Sequence, residues 1–376
     1  MSDIKSLFPH SYEASRQRFV NNLEIIQSRW PQASHNQHTL IIDPNLTIDW
    51  IAAPSQKKTK KLLIFTTGEH GIEGYVGSAL LQRFIDTILD RLNPQDTHLL
   101  FLHIINPWGM KYSRRTNAEN IDLNRTFYWP SEQFEKKLNT DYSIMKNMID
   151  PKYPVHRLFM NNLSFFLHFI LLFIRLGKKR VFTSPSLGQY RYPQGIYFGG
   201  ESMPEETKVV ISLLRQAFQI CEHIVHLDMH TGWGPRYQMT LIDSIYEPRP
   251  SNQIAREYEY PAVAAANANE FYSIRGDMID WVYSLRDNEY PGTRLYSTTF
   301  EFGTFGQSLL SDIRSLRTMV FENQLYWHGA TNQKIEELIK RDFKALFYPE
   351  SDEWCRKAIS DADQAINGIL SAEGFI

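Results

Sequence analysis

Three short motifs supply two histidines and two glutamates whose spacing could build one metal site. His70 and Glu73 lie three residues apart, and two later motifs contribute His230 and Glu301. Each motif follows an apolar run that is typical of a buried strand; the runs are residues 62–67, 224–228 and 297–300. Ligands bind at the carboxyl ends of strands in open α/β sheets. Two histidines and one glutamate there would leave a fourth zinc position open for water, as in hydrolytic zinc sites.

A loop rich in arginine and asparagine lies between the first two motifs. Its candidate binding residues are Arg114, Arg115, Asn124 and Arg125. Arginine forms planar bidentate pairs with carboxylates, so this loop could recognise a ligand that carries a carboxylate group. A polar surface loop is the ordinary interpretation of such a segment, and a lone His-x-x-Glu pair is weak as well. The individual motifs therefore leave the function open.

Taken in chain order, the motifs resemble those of the zinc carboxypeptidases and their aspartoacylase and succinylglutamate desuccinylase relatives. The order is His-x-x-Glu, Asn-Pro-x-Gly, arginine, Asp-x-Asn-Arg, a strand ending in histidine and a strand carrying glutamate, over about residues 60–305. The chain is most similar to a bacterial branch that is known only as a domain of unknown function. The hallmarks of that branch include His-Gly-x-Glu-Gly and Glu-Phe-Gly-Thr.

The resemblance implies a metal site and a catalytic acid beside it. His70, Glu73 and His230 would hold one zinc ion per chain. Zinc with three protein ligands lowers the pKa of water to about 7, which supplies hydroxide near neutral pH. Glu301 would accept the proton of the water and pass it to the leaving amine. Apolar neighbours would raise the pKa of Glu301 toward the working pH.

The resemblance also implies roles for the residues of the arginine loop. Arg115 would polarise the scissile carbonyl and stabilise the oxyanion. Arg114 is the alternative, because two adjacent arginines leave the alignment open by one residue. Asn124 and Arg125 would grip the carboxylate of the substrate.

Further polar residues could support the metal. Asp228 precedes His230 by two residues, so on a strand both side chains point to the same face. Asp228 could orient the histidine, whereas His226 is interpreted as a packed core residue. Asp228, Asp277 and Asp280 are conceivable oxygen ligands of a second ion, although lone acidic residues are usually solvated or paired.

These roles imply a metallohydrolase that cleaves an amide bond next to a free carboxylate. A carboxypeptidase and an amidohydrolase of small N-acylated amino acids both remain open. The segment of residues 128–194 could wall the cleft and restrict it to small substrates, or form an interface. Two alternatives lie outside catalysis: a binding protein with a decayed metal site, and a protein that docks on a membrane surface or a partner.

The surrounding pattern predicts an α/β fold. Strand, loop, helix and strand follow one another, which is typical of a largely parallel sheet covered on both faces. The predicted strands are residues 39–42, 47–52, 62–67, 99–105, 195–198, 224–228, 237–245 and 297–300. The predicted helices are residues 12–27, 76–92, 204–219 and 278–285, with further helices over 132–179 and after 301. We expect one domain over residues 1–376, with a mixed, mostly parallel sheet and a helical insertion at about 131–190.

The composition indicates which binding partners and which cellular compartment are expected. The net charge of -2 gives no global field for nucleic acid or an anionic membrane. Cys221 and Cys355 form no disulfide framework, which fits a reducing compartment. Residues 1–18 lack an apolar core followed by small residues, so no secretory signal and a cytoplasmic location are expected.

Residues 163–176 form a nearly continuous apolar run. The run is shorter than the roughly 18 apolar residues of a membrane-spanning helix, so a membrane is the less favoured partner. A helix that is apolar all round is usually buried in the protein or in an interface between copies of the chain. Attachment to a membrane surface is the other interpretation, because Lys178, Lys179 and Arg180 follow.

Overall fold

A mixed sheet runs through the centre of the protein. The computed structural model describes residues 4–57, 61–128, 139–266 and 275–376. In these residues the sheet has eight strands, in the order β1-β2-β4-β3-β5-β8-β6-β7. They are β1 (Ser34–Thr39), β2 (Thr47–Ala53), β3 (Lys61–Thr67), β4 (Thr97–Leu102), β5 (His223–Gly232), β6 (Met239–Asp243), β7 (Val263–Ala265) and β8 (Arg294–Gly303).

The four central strands, β4, β3, β5 and β8, are parallel to one another. Antiparallel pairs continue the sheet on both sides, β2 against β4 and β6 against β8. Because parallel strands end at the same edge, the carboxyl ends of β3, β5 and β8 lie together. In the pairing of β5 with β8, His230 lies directly beside Glu301.

Helices cover both faces of the sheet. They are α1 (Tyr12–Gln27), α2 (Gly74–Thr87), α3 (Pro107–Lys111), α4 (Thr140–Ile149), α5 (Leu158–Ser186), α6 (Glu205–Ile220), α7 (Ser251–Glu257), α8 (Met278–Glu289), α9 (Leu309–His328), α10 (Gln333–Phe347) and α11 (Asp352–Ala372). Side chains alternate along β3: Leu63 and Phe65 pack in a core with α1, α2 and α11, whereas Leu62 and Ile64 pack in a second core with α6 and α8. The apolar runs of the sequence are therefore strands buried on both faces.

The predicted fold class is confirmed: a single α/β domain with a mixed, mostly parallel sheet between helices. The domain limits of 1–376 and the insertion at about 131–190 stay predictions. Residues 131–138 lie outside the described residues, and the described remainder of the insertion contains α4 and α5.

Some predicted elements are wrong in place or kind. The strand expected at residues 39–42 precedes that position, as β1, and the helix expected at 76–92 ends earlier, at Thr87. Residues 195–198 form no strand, because only Phe198 makes isolated bridges, to Ile121 and Gln189. The short strand β7 was not predicted, since three residues are too few for a periodic signal.

The apolar helix α5 is only half-buried within the chain, so the expected burial in the protein is correct for one face alone, and burial in an interface stays a prediction. Phe165 and Phe169 are 4% and 5% exposed and pack with α9 and α4, but Leu167 and Ile174 on the other side are 55% and 78% exposed. By length and composition, α5 is the one helix of the described residues that could cross a bilayer. The backbone breaks at Gly177, where φ is 77°.

Candidate metal centre

A tight turn after β3 presents the first motif at the sheet edge. His70 precedes a 3-10 helix, Gly71–Glu73. A Cβ atom on the glycine that begins this helix would lie 2.1 Å from the backbone carbonyl carbon of Gly109, so the close approach of the two backbones requires glycine. Backbone N–H groups of the same turn donate to the carbonyl groups of Arg114 and Arg115 at 2.8 and 3.2 Å. These hydrogen bonds join the arginine loop to the turn that carries His70 and Glu73.

Three predicted ligands converge at this edge. His70 Nδ1 lies 3.2 Å from His230 Nδ1 and 2.9 Å from Glu73 Oε1, and Glu73 Oε2 lies 3.4 Å from His230 Nδ1. Tetrahedral zinc with ligand distances of about 2.0–2.1 Å would separate its ligand atoms by about 3.3–3.4 Å. The donor set and its spacing therefore fit a zinc ion. The two imidazoles hold the pKa of Glu73 at about 2 against the opposing effect of burial, so this carboxylate is ionised.

The second nitrogen of each imidazole faces a carboxylate. His70 Nε2 lies 3.1 Å from Asp122 Oδ1, and His230 Nε2 lies 2.6 Å from Asp228 Oδ2. Asp122 also accepts a hydrogen bond from Arg115 Nε at 3.0 Å. Such carboxylates fix the tautomer of a metal-binding histidine and leave the other nitrogen to the ion. Asp228 therefore lies where it can orient His230, as the sequence predicted. Asp122 lies in the equivalent position beside His70.

A chain of hydrogen bonds continues from Asp228 into the sheet. Thr66 Oγ1 donates to Asp228 Oδ1 at 2.6 Å and lies 2.8 Å from His226 Nε2, while His226 Nδ1 lies 2.9 Å from Ser297 Oγ. The hydroxyl of Thr66 has one proton, which goes to the carboxylate, so His226 Nε2–H must be the donor to Thr66. His226 Nδ1 then accepts from Ser297. Burial lowers the pKa of His226 to about 4, which keeps it neutral.

Glu69 is a buried acid at the site that the sequence analysis missed. Glu69, His70 and His230 also form a group whose potential ligand atoms lie within 4.8 Å of one another. However, Glu69 Oε2 lies 3.2 Å from His230 Nε2, the nitrogen already directed to Asp228. The two nitrogens of one imidazole point in opposite directions, so Glu69 and Glu73 cannot share an ion with His230. Glu73 is the better ligand, because its oxygens face Nδ1 of both histidines.

Glu301 lies beside the converging ligands. It is 6% exposed, and its Oε1 accepts a hydrogen bond from the backbone N–H of Trp233 at 2.8 Å. Burial and the negative charge of Glu73 raise the pKa of Glu301 to about 7. A carboxyl group with such a pKa can both accept and donate a proton near neutral pH.

Arg115 brings a positive charge to the same place. Its Nη1 lies 3.4 Å from Glu73 Oε1, and its guanidinium stands 5.6 Å from the ring centre of Tyr197. Together with the hydrogen bond to Asp122, these contacts hold the guanidinium at the cleft. The position agrees with the predicted oxyanion role, which stays a prediction.

Arg114 turns away from the cleft, which removes it as the alternative to Arg115. Its Nε lies 2.9 Å from Glu322 Oε1, and its guanidinium stacks 3.6 Å from the ring centre of Tyr326. The two adjacent arginines therefore contact different partners, and Arg114 anchors α9.

Asn124 lines the cleft and Arg125 does not, and both side chains are bonded to protein groups; their predicted carboxylate grip stays a prediction that these bonds do not favour. Asn124 Nδ2 donates to Asp277 Oδ2 at 3.0 Å, and Asn124 Oδ1 accepts from the N–H of Met278 at 3.0 Å. Arg125 is 0% exposed; its Nη1 donates to the carbonyl of Asn124 and its Nη2 to that of Ser186. Both side chains therefore join loops and helices together.

Asp277 and Asp280, two conceivable ligands of a second ion, are hydrogen-bonded to other residues of the protein. Asp277 accepts from Asn124 and caps α8, where its Oδ1 accepts from the N–H of Asp280 at 2.9 Å. Asp280 Oδ1 accepts from Ser244 Oγ at 2.5 Å. In the described residues these acids hold the fold of the cleft wall rather than an open cation site.

A cleft of about 340 Å³ opens over these groups. Its described lining includes His70, Glu73, Arg115, His230 and Glu301. The last turns of α5 form one wall, through residues 182, 183, 185 and 186. A volume in this range suits a small ligand. Part of the segment of residues 128–194 thus walls the cleft, as one of the two interpretations expected.

With this geometry established, comparison with known proteins gives a family. The family described as "Protein of unknown function (DUF2817)" matches residues 8–361. The chain belongs to this family. The match confirms the predicted uncharacterised branch. A comparison with curated proteins gives no match.

Solved structures similar to the chain include two carboxypeptidase-type proteins and an acylase-like protein. Bovine thrombin-activatable fibrinolysis inhibitor is 14% identical, with 84% of this chain and 95% of that chain covered and a TM-score of 0.47. Carboxypeptidase A from Helicoverpa armigera is 14% identical, with 91% and 75% covered and a TM-score of 0.48. A succinylglutamate desuccinylase/aspartoacylase-like protein of Shewanella frigidimarina is 13% identical, with 80% and 72% covered and a TM-score of 0.38. At these identities, the function proposed below rests on the residues of this chain.

Proposed function

We propose that the protein is a zinc-dependent hydrolase that cleaves an amide bond in a small peptide or an N-acyl amino acid. The observation that carries the proposal is the convergence of His70 Nδ1, His230 Nδ1 and the Glu73 carboxylate, with spacings of 2.9–3.4 Å. The carboxylate contacts at the opposite ring nitrogens support the same assignment. A decayed site is disfavoured, because each predicted ligand is present and correctly directed.

Glu301 and Arg115 supply the chemistry of the chain itself. A zinc ion bound by such ligands lowers the pKa of water and polarises a carbonyl group. Glu301 accepts a proton from the attacking water and delivers it to the leaving nitrogen. Arg115 lies where a positive charge can stabilise the oxygen of the attacked carbonyl; removal of one such donor costs about 100- to 1000-fold in rate.

The cleft favours small substrates. Its volume of about 340 Å³ is at the lower end of ligand pockets. Of the three predicted arginines, Arg115 is the one that lines the cleft in the described residues, and it is assigned to the oxyanion. The expected carboxylate next to the scissile bond rests on the sequence resemblance, and substrates with free and blocked carboxyl groups test it. The same experiment distinguishes peptidase from N-acylase activity.

A substrate panel tests this proposal. The zinc-loaded protein is incubated with dipeptides and N-acyl amino acids, each with a free or an amidated carboxyl terminus, and the released amines are quantified by mass spectrometry. We expect hydrolysis of one class, abolished by a zinc chelator and restored by added zinc. A protein that binds zinc but hydrolyses neither class would support the non-catalytic binding role instead.

A further inference from the structure

The exposed face of α5 has the features of a surface that binds lipid. We propose that this face docks on an anionic phospholipid bilayer, with the helix lying in the interface and not crossing it. The proposal does not depend on the hydrolytic activity. It rests on the separation of two apolar faces on one helix and on the charges that flank them.

The two faces of the helix differ in what covers them. On one face, Phe165 and Phe169 are buried, and the ring of Phe165 lies 6.1 Å from that of Phe321 in α9. On the opposite face, eight large apolar side chains are 39% to 78% exposed: Phe159, Met160, Leu163, Phe166, Leu167, Ile170, Leu171 and Ile174. Their spacing of three and four residues makes a continuous stripe along the helix. Contiguous exposed apolar patches of this kind mark interaction sites.

Charge identifies the partner. The 29 residues of α5 contain no acidic side chain. Exposed cations lie at both ends of the stripe, Arg157 before it and Arg175, Lys178 and Lys179 at its end. An apolar stripe with basic residues beside it binds a membrane surface through buried apolar area and attraction to anionic lipids. The net charge of the whole chain does not oppose this, because the attraction acts within about one Debye length, roughly 8–10 Å.

A second copy of the chain fits the same face poorly. In a two-fold pair, parallel helices would place the same basic ends together, and antiparallel helices would place Arg157 near Lys178 and Lys179. Either arrangement brings like charges together; α5 contains no acid, and Asp312 of α9, which interacts with Lys178, offsets one of these charges. Like charges across an interface disfavour association.

The packing of α5 also sets its orientation to the bilayer. Phe165 and Phe169 pack in the protein core; a helix lying in the interface keeps these contacts, whereas a spanning helix would lose them. The stretch before the break at Gly177 has 19 residues, or about 28 Å of helix. After that break the same element continues into the cleft wall at Pro185 and Ser186. Docking would therefore bring the cleft close to the lipid surface.

Vesicle flotation tests the proposal with the full chain. One set of vesicles contains phosphatidylcholine alone, and the other contains equal parts of phosphatidylcholine and phosphatidylglycerol. We expect the protein to float with the anionic vesicles and to remain below with the neutral ones, and binding to weaken as salt is raised. Equal flotation with both sets, or with neither, would overturn the proposal.

Two variants locate the contact. The double substitution Leu167→Glu and Ile170→Glu places charges on the exposed stripe and should abolish flotation. Ile220→Glu, at a site that is 61% exposed at the end of α6, is the matched control and should float like the natural protein. Lys178→Glu should lower the partition coefficient for anionic vesicles at least about fivefold.

The oligomeric state is measured alongside by light scattering. A monomer in solution agrees with the proposal. A dimer that the double variant converts to a monomer, without lipid binding by the natural protein, would show instead that a second copy covers the stripe. Thermal unfolding of each variant checks that the fold is retained. We expect it to be retained because the side chains of Leu167, Ile170, Lys178 and Ile220 are all exposed.

Discussion

The Nδ1 atoms of His70 and His230 lie 3.2 Å apart, although 160 positions separate the two residues along the chain. Neighbouring parallel strands, β3 and β5, bring them to the same edge of the sheet. Two neutral imidazole nitrogens at this distance repel each other unless a cation or a proton lies between them. The proximity therefore agrees with the proposed zinc site, and metal analysis distinguishes an ion from a shared proton.

Loss of either histidine should lower the metal content. We expect His70→Ala and His230→Ala each to bind less zinc than the natural protein, for which one equivalent is proposed, because each removes one of the three proposed ligands. Metal analysis of the purified protein measures this. His168→Ala, a change on α5 outside the cleft lining, is the control and should retain the full equivalent. If both ligand variants also retained it, the zinc site would lie elsewhere.

Thr66 should affect zinc affinity without touching the ion. Thr66→Val removes the O–H group that bonds Asp228 and accepts from His226, so His230 loses part of its orientation. Affinity should fall by about 10- to 100-fold, as for other residues that support metal ligands. Competition with a chelating dye measures it. Thr66→Ser keeps the hydroxyl and should rescue the affinity; equal weakening by both substitutions would exclude the hydrogen-bond chain as the cause.

Glu301→Gln should separate metal binding from turnover. The amide cannot accept the proton of the water, so the rate should fall by about 100- to 10,000-fold, while the zinc content is unchanged. Glu206→Gln is a matched control: Glu206 is also buried, its pKa is also raised to about 7 by burial, and it is bonded to Asn117 outside the cleft lining. Activity that survives in Glu301→Gln would assign the base to another group.

The pH dependence of the rate follows from the pKa of Glu301. Burial and the charge of Glu73 raise this pKa to about 7, so the carboxyl group gains its proton as the pH falls through 7. The base must be ionised, and kcat/KM should therefore fall about tenfold per pH unit below the pKa. Rates between pH 5 and 9 test this. A profile that stays flat down to pH 5 would contradict proton transfer to Glu301.

Arg125→Ala should act on stability. Arg125 is fully buried between the carbonyl groups of Asn124 and Ser186 and lies 3.9 Å from Asp122. Removing one partner of such a buried charged network costs about 3–5 kcal/mol in the free energy of unfolding, measured by denaturant titration. Arg191→Ala, at an exposed position, should have little effect. A selective rise in KM for substrates with a free carboxylate, at unchanged stability, would restore the sequence-based role of Arg125.

The sequence predicts the ends of the central strands and the side chains they carry. Runs such as residues 62–67 are apolar on both faces, so their strand character and burial are readable, and the motifs that follow must meet at one edge. His70, Glu73, His230 and Glu301 are therefore within reach of sequence reasoning. Their geometry needs only that neighbouring parallel strands end together.

What the sequence does not reveal depends on contacts between distant segments. Arg125 is buried because Ser186 and Gly188 close over it; a Cβ atom on Gly188 would lie 2.7 Å from Arg125 Cδ. The direction of Glu69 depends on the turn that follows β3, and the exposed side of α5 depends on α9 covering the other side. No local periodicity encodes these relations.

The pairing of β5 with β8 has a consequence for how the family can vary. His230 and Glu301 are partners across that ladder, and successive side chains of a strand point to opposite faces. One residue inserted or deleted before His230 in β5, or before Glu301 in β8, would turn that side chain to the opposite face of the sheet, even with every motif letter intact. The number of residues along these two strands is therefore as important for the site as the identity of the two side chains.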